Sequence, residues 1–522
     1  MVSYVKSACV DGIDGKIVEV ETYISNGLPC FDLIGLSGKV ANEAKERVRS
    51  AIKNSGFMFP MNRITVNIFP AEMRKEGSQF DLAIAMGILS ATRQITMQKE
   101  VADRSIFIGE LTLDGRVNHV TGVIPVTLEA LKNEFSTVIV PERNAKEALV
   151  ITTLKKIEIK KLKIIAARNL IEASTFAEDS DSYDFDVRGL KKSREEYILQ
   201  NRKINDKTKE DFKDIKGHKA AKRAFEIAAA GNHNCIILGS PGSGKSMLAK
   251  RIPGILPEMI DGERLETGII YSIAGMIKEM EFTNQRPFRA PHHGITAAAL
   301  VGGGVNPRPG EISLAHNGVL FLDEICEFDS VAIDMLREPL ESGQIIISRK
   351  NNRVLFPSRF MLVAAANPCK CGMLLEKKCC CTARELSKYQ NKLSGAIMDR
   401  IDIRIEVATA GIKVFNSEHE EESSEEIRSR VNFARMIQLK RFENYGITSN
   451  SQMNNDMIRE FVLMDAKVTH TLERYERANN LSLRGCVSIL KVARTIADLN
   501  GGGDVNPDNI AEAILYRVRD SV

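Results

Sequence analysis

One segment of the chain reads Gly239-Ser240-Pro241-Gly242-Ser243-Gly244-Lys245-Ser246, between the apolar run Cys235 to Leu238 and the residues Met247-Leu248-Ala249. This order predicts a strand, a glycine-rich loop and a helix, which is the context that a phosphate-binding loop requires. Glycines let backbone N–H groups turn inward around phosphates, and the start of the helix favours negative charge. The pattern predicts binding of a nucleoside triphosphate. The alternative is an ordinary glycine-rich turn before a helix.

The residue types of this loop have separate expected tasks. Lys245 is expected to reach the β- and γ-phosphates, and Ser246 is expected to ligate Mg²⁺. ATP and Mg²⁺ are therefore the expected cofactors. The predicted nucleotide-binding set is Gly239, Ser240, Pro241, Gly242, Ser243, Gly244, Lys245, Ser246 and Met247.

A second apolar run, Gly318 to Leu322, ends in the two acids Asp323 and Glu324. A buried strand that ends in two carboxylates is typical of the second half of an ATPase site. We expect Asp323 to hold Mg²⁺ with its water shell and Glu324 to polarise the attacking water. The alternative is a buried strand with incidental acids.

Three further polar residues suit ATP hydrolysis by their positions. Asn367 follows the apolar run Phe360 to Ala366 and is predicted to orient water near the γ-phosphate. Arg400 comes after a helix-like segment, and Arg484 lies at the start of a later helix. Taken singly, each arginine suits a surface or salt-bridge role. In this order they are expected to neutralise phosphate charge in the transition state, Arg400 in trans and Arg484 from a lid.

The length of 522 residues exceeds what one hydrophobic core supports, so several domains are expected. Alternating strand-like and helix-like patterns predict an α+β domain at residues 1–178, with strands at 17–24, 64–69, 105–113 and 137–140. A charged, apolar-poor stretch predicts a linker at 179–214. The α/β ATPase core is assigned to 215–407, and a helical lid to 425–522.

The overall charge limits the partners that the chain is expected to have. Lys plus Arg number 72 against 68 Asp plus Glu, so the formal net charge is only +4. This balance argues against a uniformly basic coat and leaves only local contacts with DNA. The apolar runs are too short to span a bilayer, and residues 1–6 do not resemble a signal peptide. We expect a cytoplasmic protein without a membrane partner.

Five of the ten cysteines fall between Cys369 and Cys381. Two C-x-C pairs, seven residues apart, supply four thiolates that could close tetrahedrally around Zn²⁺. The alternative is a set of free thiols in a loop, and Cys380 adds a fifth thiol that leaves the ligand choice open. We predict a structural zinc held by Cys369, Cys371, Cys379 and Cys381.

The order of these motifs resembles the AAA+ ATPases, and more closely the ComM/YifB family of magnesium-chelatase-like AAA+ proteins. The resemblance covers nearly the whole chain and rests, beside the two ATP motifs, on residues 286–293, 302–304, 309–316, 367–369, 393–395 and 399–402. It implies an AAA+ core with an inserted hairpin, a helical lid and a homo-hexameric ring. In that ring, Arg400 of one subunit would complete the ATP site of its neighbour.

The same resemblance implies action on DNA, through branch migration in recombination or natural transformation. Two strand-like runs, Ile345 to Ser348 and Val354 to Phe356, predict a hairpin with a basic turn. A solubilising tip is the default interpretation of such a turn. In related ring ATPases the corresponding hairpin lines the central pore, so Arg349, Lys350 and Arg353 are expected to contact DNA phosphates.

The N-terminal domain resembles the proteolytic domain of Lon proteases at residues 70–81, 109–117 and 141–144. A Ser–Lys dyad needs a hydroxyl and a neutral lysine at matched positions. Here Gln79 stands where the serine belongs, Thr121 to Pro125 lack the lysine, and Ser78 is a poor candidate nucleophile. We expect a scaffold domain. A protein-remodelling motor of the magnesium-chelatase type and an active Lon-like protease remain the two alternative functions.

Overall fold

A computed structural model describes residues 2–73, 75, 77–149, 151, 162–179, 210–277, 284–304, 307–349, 352–376, 378–392, 395–408, 421–464, 466–479 and 481–517. The chain divides into two compact units. The first, called the N-terminal unit, comprises Met1–Ile204 and Asp261–Thr283, and the second, called the ATPase unit, comprises Asn205–Ile260 and Asn284–Val522.

The N-terminal unit is built on a seven-stranded mixed sheet. Neighbouring strands form six pairs. Two of these pairs are antiparallel, with Val5 opposite Val20 and Val20 opposite Ile68, and the other four are parallel. A small separate hairpin joins Glu110–Leu111 to Val117–Asn118. The order across the sheet is Cys30–Ile34, Arg63–Phe69, Asp14–Ser25, Val2–Asp11, Ser105–Phe107, Thr137–Pro141 and Lys163–Ala167.

One helix of this unit, Asp81–Ala91, is buried on nearly all sides. Such a helix belongs in a core, because its apolar residues surround the whole axis. Gly87 allows close packing on the sheet, since a Cβ there would lie 2.5 Å from the Thr22 hydroxyl oxygen. The other α-helices of the unit are Gly38–Asn54, Lys99–Arg104, Val123–Lys132, Ala145–Leu149, Leu170–Glu178 and Asp261–Ala274.

The predicted strands at 17–24, 64–69 and 137–140 are confirmed, and no end differs by more than three residues. The single strand predicted at 105–113 is wrong, because the sheet strand ends at Phe107. Beyond it, the Gly109 N–H donates to the Gln79 carbonyl at 2.9 Å instead of to a neighbouring strand. Residues 110–111 then pair with the separate hairpin partner.

The helix Asp261–Ala274 lies in the N-terminal unit, although the sequence places it inside the predicted ATPase segment 215–407. Its Ser272 carbonyl accepts from the Gly122 N–H at 3.1 Å, and its Ser272 hydroxyl oxygen accepts from the Ile124 N–H at 3.2 Å. The same hydroxyl donates to the Glu147 carboxylate at 2.5 Å. Glu147 is 3% exposed, and burial raises the pKa of its carboxyl group. Ser272 therefore provides hydrogen-bond partners both for backbone N–H groups at the start of the helix Val123–Lys132 and for the buried carboxylate of Glu147.

Ser272→Ala is expected to destabilise the N-terminal unit by about 1–3 kcal/mol, because a buried carboxylate loses a donor and a buried N–H loses its acceptor. Urea unfolding of the full chain measures this loss. Thr175→Ala is the matched control, since Thr175 is an exposed hydroxyl on a helix of the same unit. Equal stabilities of the two variants would show that this contact contributes nothing.

The ATPase unit is built on a five-stranded sheet in which every neighbouring pair is parallel. The order across it is Phe288–Arg289, Val319–Leu322, Met361–Ala366, Cys235–Gly239 and Ile403–Val407. Since the strand Cys235–Gly239 is first in the chain and lies between later ones, the connections turn to opposite sides of it. Ligands in such sheets bind outside the carboxyl ends of the strands at this point.

Helices cover the ATPase sheet and also form the C-terminal region. Ser423 with Glu426 forms a capping box, and Asn506 caps a helix whose first residue is Pro507. The α-helices are Lys219–Gly231, Lys245–Arg251, Ala297–Val301, Glu311–Leu314, Ser330–Asp334, Arg337–Ser342, Ala383–Gln390, Gly395–Met398, Ser424–Arg441, Asn455–Phe461, Ala466–Asn479, Leu483–Leu499 and Pro507–Leu515.

Candidate ATPase site

The predicted phosphate-binding loop, Gly239–Ser246, leaves the carboxyl end of the central strand and leads directly into the helix Lys245–Arg251. Gly242 and Gly244 have φ values of 78° and 85°, a conformation that side chains with a Cβ rarely adopt. The Ser243 hydroxyl oxygen is buried and, among the described residues, has no hydrogen-bond partner. A loop with this backbone and an unsatisfied buried hydroxyl fits a phosphate group.

Lys245 is held inside this loop by three oxygen atoms. Its Nζ donates to the carbonyls of Gly239 at 2.7 Å and Ser240 at 3.0 Å, and to Oδ1 of Asn367 at 3.0 Å. The side chain is buried, and burial lowers its pKa against the opposing field of Asp323 and Glu324. An ammonium so placed can exchange these carbonyls for phosphate oxygens.

The two residues expected to hold Mg²⁺ lie in contact. The Ser246 hydroxyl donates to Oδ2 of Asp323 at 2.7 Å, which joins the loop to the end of the strand Val319–Leu322. A hydroxyl at the start of the helix Lys245–Arg251 and a carboxylate at a nearby strand end are oxygen ligands that suit Mg²⁺. The residues present therefore fit the cofactor pair ATP and Mg²⁺.

Glu324 has an unusual backbone conformation, with φ of 51° and ψ of 48°. For a residue other than glycine this left-handed conformation costs on the order of 1 kcal/mol and recurs at functional sites. Its N–H donates to Oδ1 of Asp323 at 3.0 Å, and its side chain is exposed. The two acids therefore occupy different environments, one bound to Ser246 and one open to water.

Met247, the last residue of the predicted binding set, is 50% exposed beside the loop.

Arg400 lies beside the amino ends of the strands of the same sheet, opposite the end that carries the phosphate-binding loop. It precedes the strand Ile403–Val407, whose first residue pairs with Cys235. Its carbonyl accepts from Nδ2 of Asn234, the residue before the central strand. From Asn234 to Gly239 is five strand residues, or about 16 Å. Because an arginine side chain is much shorter than this distance, Arg400 cannot reach phosphates in the loop of its own chain.

Arg484 and Arg400 share a partner that no sequence pattern predicts. Both guanidinium groups bind the carboxylate of Glu341, Arg400 at 2.5 Å and Arg484 at 2.8 Å. Hydrogen bonds and charge from Arg400, and then Arg484, hold the pKa of Glu341 below its usual range. A cavity of about 520 Å³ beside the cluster is also lined by Lys491. The two predicted arginines therefore lie close together, around one carboxylate.

Comparison with known proteins agrees with this arrangement of motifs. Family models match three parts of the chain: "Magnesium chelatase, subunit ChlI" at 211–414, "Subunit ChlI of Mg-chelatase" at 20–144 and "Magnesium chelatase, subunit ChlI C-terminal" at 421–517. The chain is 41% identical over 509 residues to the Competence protein ComM of Haemophilus influenzae, covering 97% of this chain and 95% of that protein. The chain belongs to the ComM/YifB family of magnesium-chelatase-like AAA+ proteins.

Two other relatives show the breadth of this AAA+ family. The Uncharacterized protein YifB of Escherichia coli K12 is 37% identical over 519 residues, 99% of this chain and 97% of that one. The Magnesium-chelatase 67 kDa subunit of Chlorobaculum parvum is 29% identical over 161 residues, 30% of this chain and 23% of that one. Membership implies an ATPase that uses ATP and Mg²⁺. Among the helices described, none has both the length and the hydropathy to cross a membrane.

The four predicted zinc ligands of this magnesium-chelatase-like protein lie together. All four Sγ atoms are within 4.8 Å of one another. The three resolved Sγ–Sγ contacts, among Cys369, Cys371 and Cys379, measure 3.3, 3.6 and 3.6 Å. A tetrahedral site with Zn–S bonds of about 2.3 Å has edges of about 3.8 Å, whereas a disulfide needs about 2.05 Å. The geometry fits a four-thiolate metal site, and Cys380 is exposed outside it.

Backbone groups around the cluster favour a thiolate. N–H bonds from Met373 and Cys380, in that order, lower the pKa of the Cys371 thiol to about 5. The Cys381 N–H also donates to Sγ of Cys379 at 3.4 Å. Although the Cys381 N–H lowers it, desolvation and the neighbouring Cys371 and Cys369 thiols raise the pKa of the Cys379 thiol to about 12. Cysteine binds metal as the thiolate, so a bound cation is needed to hold the remaining thiols deprotonated.

The predicted basic hairpin is present, formed by Gln344–Arg349 and Asn352–Pro357. One face packs inward through Ile347 and Val354, and Arg353 lies on the exposed face. Lys350 and the side chain of Arg349 are outside the described residues. A second small hairpin, Gly302–Gly303 with Arg308–Pro309, contacts Ile347 through Gly302 and carries the exposed Arg308. Its glycine run was noted in the sequence, but Arg308 was missed.

Ser78 and Lys75, in the region that resembles Lon proteases, have separate hydrogen-bond partners. The Ser78 hydroxyl donates to the Glu110 carboxylate. The buried Lys75 Nζ donates to the carbonyls of Pro70 and Met73. Gln79, at the expected nucleophile position, has an amide in place of a hydroxyl. These groups do not form a hydroxyl paired with a lysine base.

Proposed function

We propose that this chain is the subunit of an ATP-hydrolysing, cytoplasmic ring motor that drives branch migration of DNA in recombination or natural transformation. One observation carries the proposal: the phosphate loop lies at the carboxyl ends of the strands of one parallel sheet, and Arg400 lies at their amino ends. A subunit with its phosphate site at one end of the sheet and Arg400 at the other can give its arginine to the ATP site of one neighbour. Its own phosphate site can receive an arginine from the other neighbour. A closed ring satisfies every such site, and we propose a homo-hexamer.

The catalytic roles follow from the positions of the site residues. Lys245 and the loop amides bind the β- and γ-phosphates, and Ser246 with Asp323 holds Mg²⁺. Glu324 orients and deprotonates the attacking water, and Asn367 positions it beside Lys245. Arg400 and Arg484 of the adjacent subunit neutralise charge on the transferred phosphoryl group.

The proposal that DNA is the substrate rests on the exposed basic hairpin and on the printed name of one relative, Competence protein ComM. Arg353 and Arg308 stand on two hairpins that contact each other through Gly302 and Ile347. Two cationic hairpins that project together can follow a phosphate backbone, while the small net charge of +4 leaves the rest of the surface neutral.

A fluorescent four-way junction tests the proposal directly. With ATP and Mg²⁺ we expect the purified protein to convert the junction to products, and without hydrolysable ATP we expect no conversion. Casein degradation is measured beside it. ATP-dependent proteolysis lost in Ser78→Ala would favour the protease alternative, and junctions left intact by an active ATPase would contradict the DNA motor. The magnesium-chelatase alternative is supported by the family models at 211–414 and 421–517.

Arg353→Glu is expected to weaken DNA binding and to reduce the slope of log affinity against log salt by about 1, because one phosphate contact is lost. Fluorescence anisotropy over a salt series measures both quantities. Arg384→Glu is the matched control, since Arg384 is exposed on a helix of the same unit. A slope that changes equally in both variants would contradict a specific role for the hairpin.

Structural zinc in the four-cysteine cluster is the remaining part of the proposed function. Protein purified without chelator is expected to contain about one zinc per chain, as four thiolates close a tetrahedral structural site. Cys371→Ser is expected to lose the metal and Cys380→Ser to keep it. Elemental mass spectrometry decides the matter, and wild-type protein without zinc would refute the site.

A further inference from the structure

The segment that carries the four cysteines has little apolar burial of its own. Within the described part of residues 369–381, only Cys369 and Gly372 are buried. A loop without a core needs another source of order to offset its conformational entropy. A closed metal site supplies such order, since metal binding contributes directly to folding free energy.

Gly372 places this loop against the phosphate-binding loop. It has a φ of +79°, and a Cβ at this position would lie 2.4 Å from Cδ and 2.6 Å from Cγ of Pro241. Backbone of the cysteine loop therefore rests directly on the ring of Pro241, with no room for any side chain between them. Pro241 is the third residue of the segment that is expected to surround the phosphates.

A second link runs through Asn367, which stands two residues before Cys369. Its side-chain oxygen accepts from Nζ of Lys245 at 3.0 Å. Cys369 is fully buried, so the first ligand of the cluster is anchored where the strand Met361–Ala366 ends. The cysteine loop thus contacts the phosphate-binding loop at Pro241 and is joined to Lys245 through Asn367.

We propose that the metal in the four-cysteine cluster holds the phosphate-binding loop and Asn367 in their nucleotide-binding arrangement, so that nucleotide affinity depends on metal occupancy. The inference rests on the proposed zinc site and adds a role to it. Zinc joins the two C-x-C pairs, fixes Gly372 against Pro241, and keeps Asn367 beside Lys245. Without zinc the loop samples other conformations, and the apparent affinity falls with the fraction that remains competent.

Three single variants test the inference in the full chain. Zinc content is measured by mass spectrometry, and the Kd of a fluorescent ATP analogue with Mg²⁺ is measured by titration. Cys371→Ser is expected to lose zinc and to raise the Kd on the order of tenfold, which corresponds to a competent fraction of about one tenth. Cys380→Ser, with an exposed thiol in the same loop, is expected to leave both quantities unchanged.

Gly372→Ala separates the metal from the contact that it supports. All four thiols remain, so zinc is expected to stay bound, but the added methyl group meets Pro241 and the Kd is expected to rise several-fold. Circular dichroism and thermal unfolding confirm that each variant is folded. A zinc-free Cys371→Ser protein, or a Gly372→Ala protein, with the wild-type Kd would overturn the inference and leave the metal site standing. Wild-type protein without zinc would contradict both the zinc site and the inference that rests on it.

Discussion

Lys245→Ala is expected to lower ATP turnover on the order of 100- to 1,000-fold, because the transferred phosphoryl group loses its nearest fixed positive charge. The lysine is buried, and its ammonium group donates to Gly239, Ser240 and Asn367, none of which carries a positive charge. Phosphate release at saturating ATP and Mg²⁺ measures the effect. Nucleotide titration shows whether binding, turnover or both are lost.

The matched control for this variant is Lys250→Ala. Lys250 belongs to the same helix, Lys245–Arg251, but its side chain is exposed. We expect its turnover to stay within about twofold of wild type, because a solvated surface charge contributes little. Wild-type turnover in Lys245→Ala would contradict the assignment of Gly239–Ser246 as the catalytic phosphate loop.

Arg400→Ala is expected to lower ATP turnover about as much as Lys245→Ala does. The expected reason, however, involves two subunits. An arginine that neutralises the transferred phosphate from the adjacent subunit contributes on the order of 10³-fold or more. The strand pairing places Arg400 about 16 Å from the end of its own phosphate loop. Loss of activity alone does not show whether Arg400 acts in its own subunit or on the adjacent one, so a mixing experiment is needed.

Inactive Lys245→Ala and inactive Arg400→Ala subunits, mixed in equal amounts, are expected to regain about a quarter of the wild-type rate. One site in four then has an intact lysine in one subunit and an intact arginine in the next, if subunits mix at random in a closed ring. Arg459→Ala, on an exposed helix position, is the control for arginine loss and is expected to stay active. Mixtures that remain inactive, although both variants assemble, would contradict catalysis between subunits.

The pairing of Arg400 with Glu341 gives this reaction a route to the basic hairpin. Glu341 lies three residues before the first strand of that hairpin, and Gly343 accepts the Ser358 N–H at the hairpin base. In the proposed ring, Glu341 would lose two cationic partners when Arg400 and Arg484 move to the phosphates of the adjacent subunit. ATP bound in one subunit would thereby alter the base of the basic hairpin in the next.

Local patterns in the sequence predicted most of the ATP-binding half. The strand, loop and helix around Gly239–Ser246 form as expected, because glycine spacing and an apolar strand act over a few residues. Asp323 and Asn367 meet the loop because the carboxyl ends of parallel strands share one edge. The hairpin was likewise readable from neighbouring residues.

Long-range pairings were not readable in this way. The partner of Arg400 and Arg484 is Glu341, which is separated from them by 59 and 143 residues. The strands Val2–Asp11, Cys30–Ile34 and Lys163–Ala167 were not predicted, although each completes the N-terminal sheet. Strand order joins residues that are distant in sequence, and a single sequence read by itself carries no signal for such contacts.

The phosphate-binding loop, the acidic strand end and the four clustered thiols could all be predicted from the amino-acid sequence. Each of these depends on residue types at short spacing, which fix local backbone conformation and chemistry. The three-dimensional structure was needed to show that Arg400 lies away from its own phosphate loop, that Asp261–Ala274 packs in the N-terminal unit, and that Gly372 rests on Pro241. Those features depend on strand order and close packing, because they bring together residues that lie far apart along the chain.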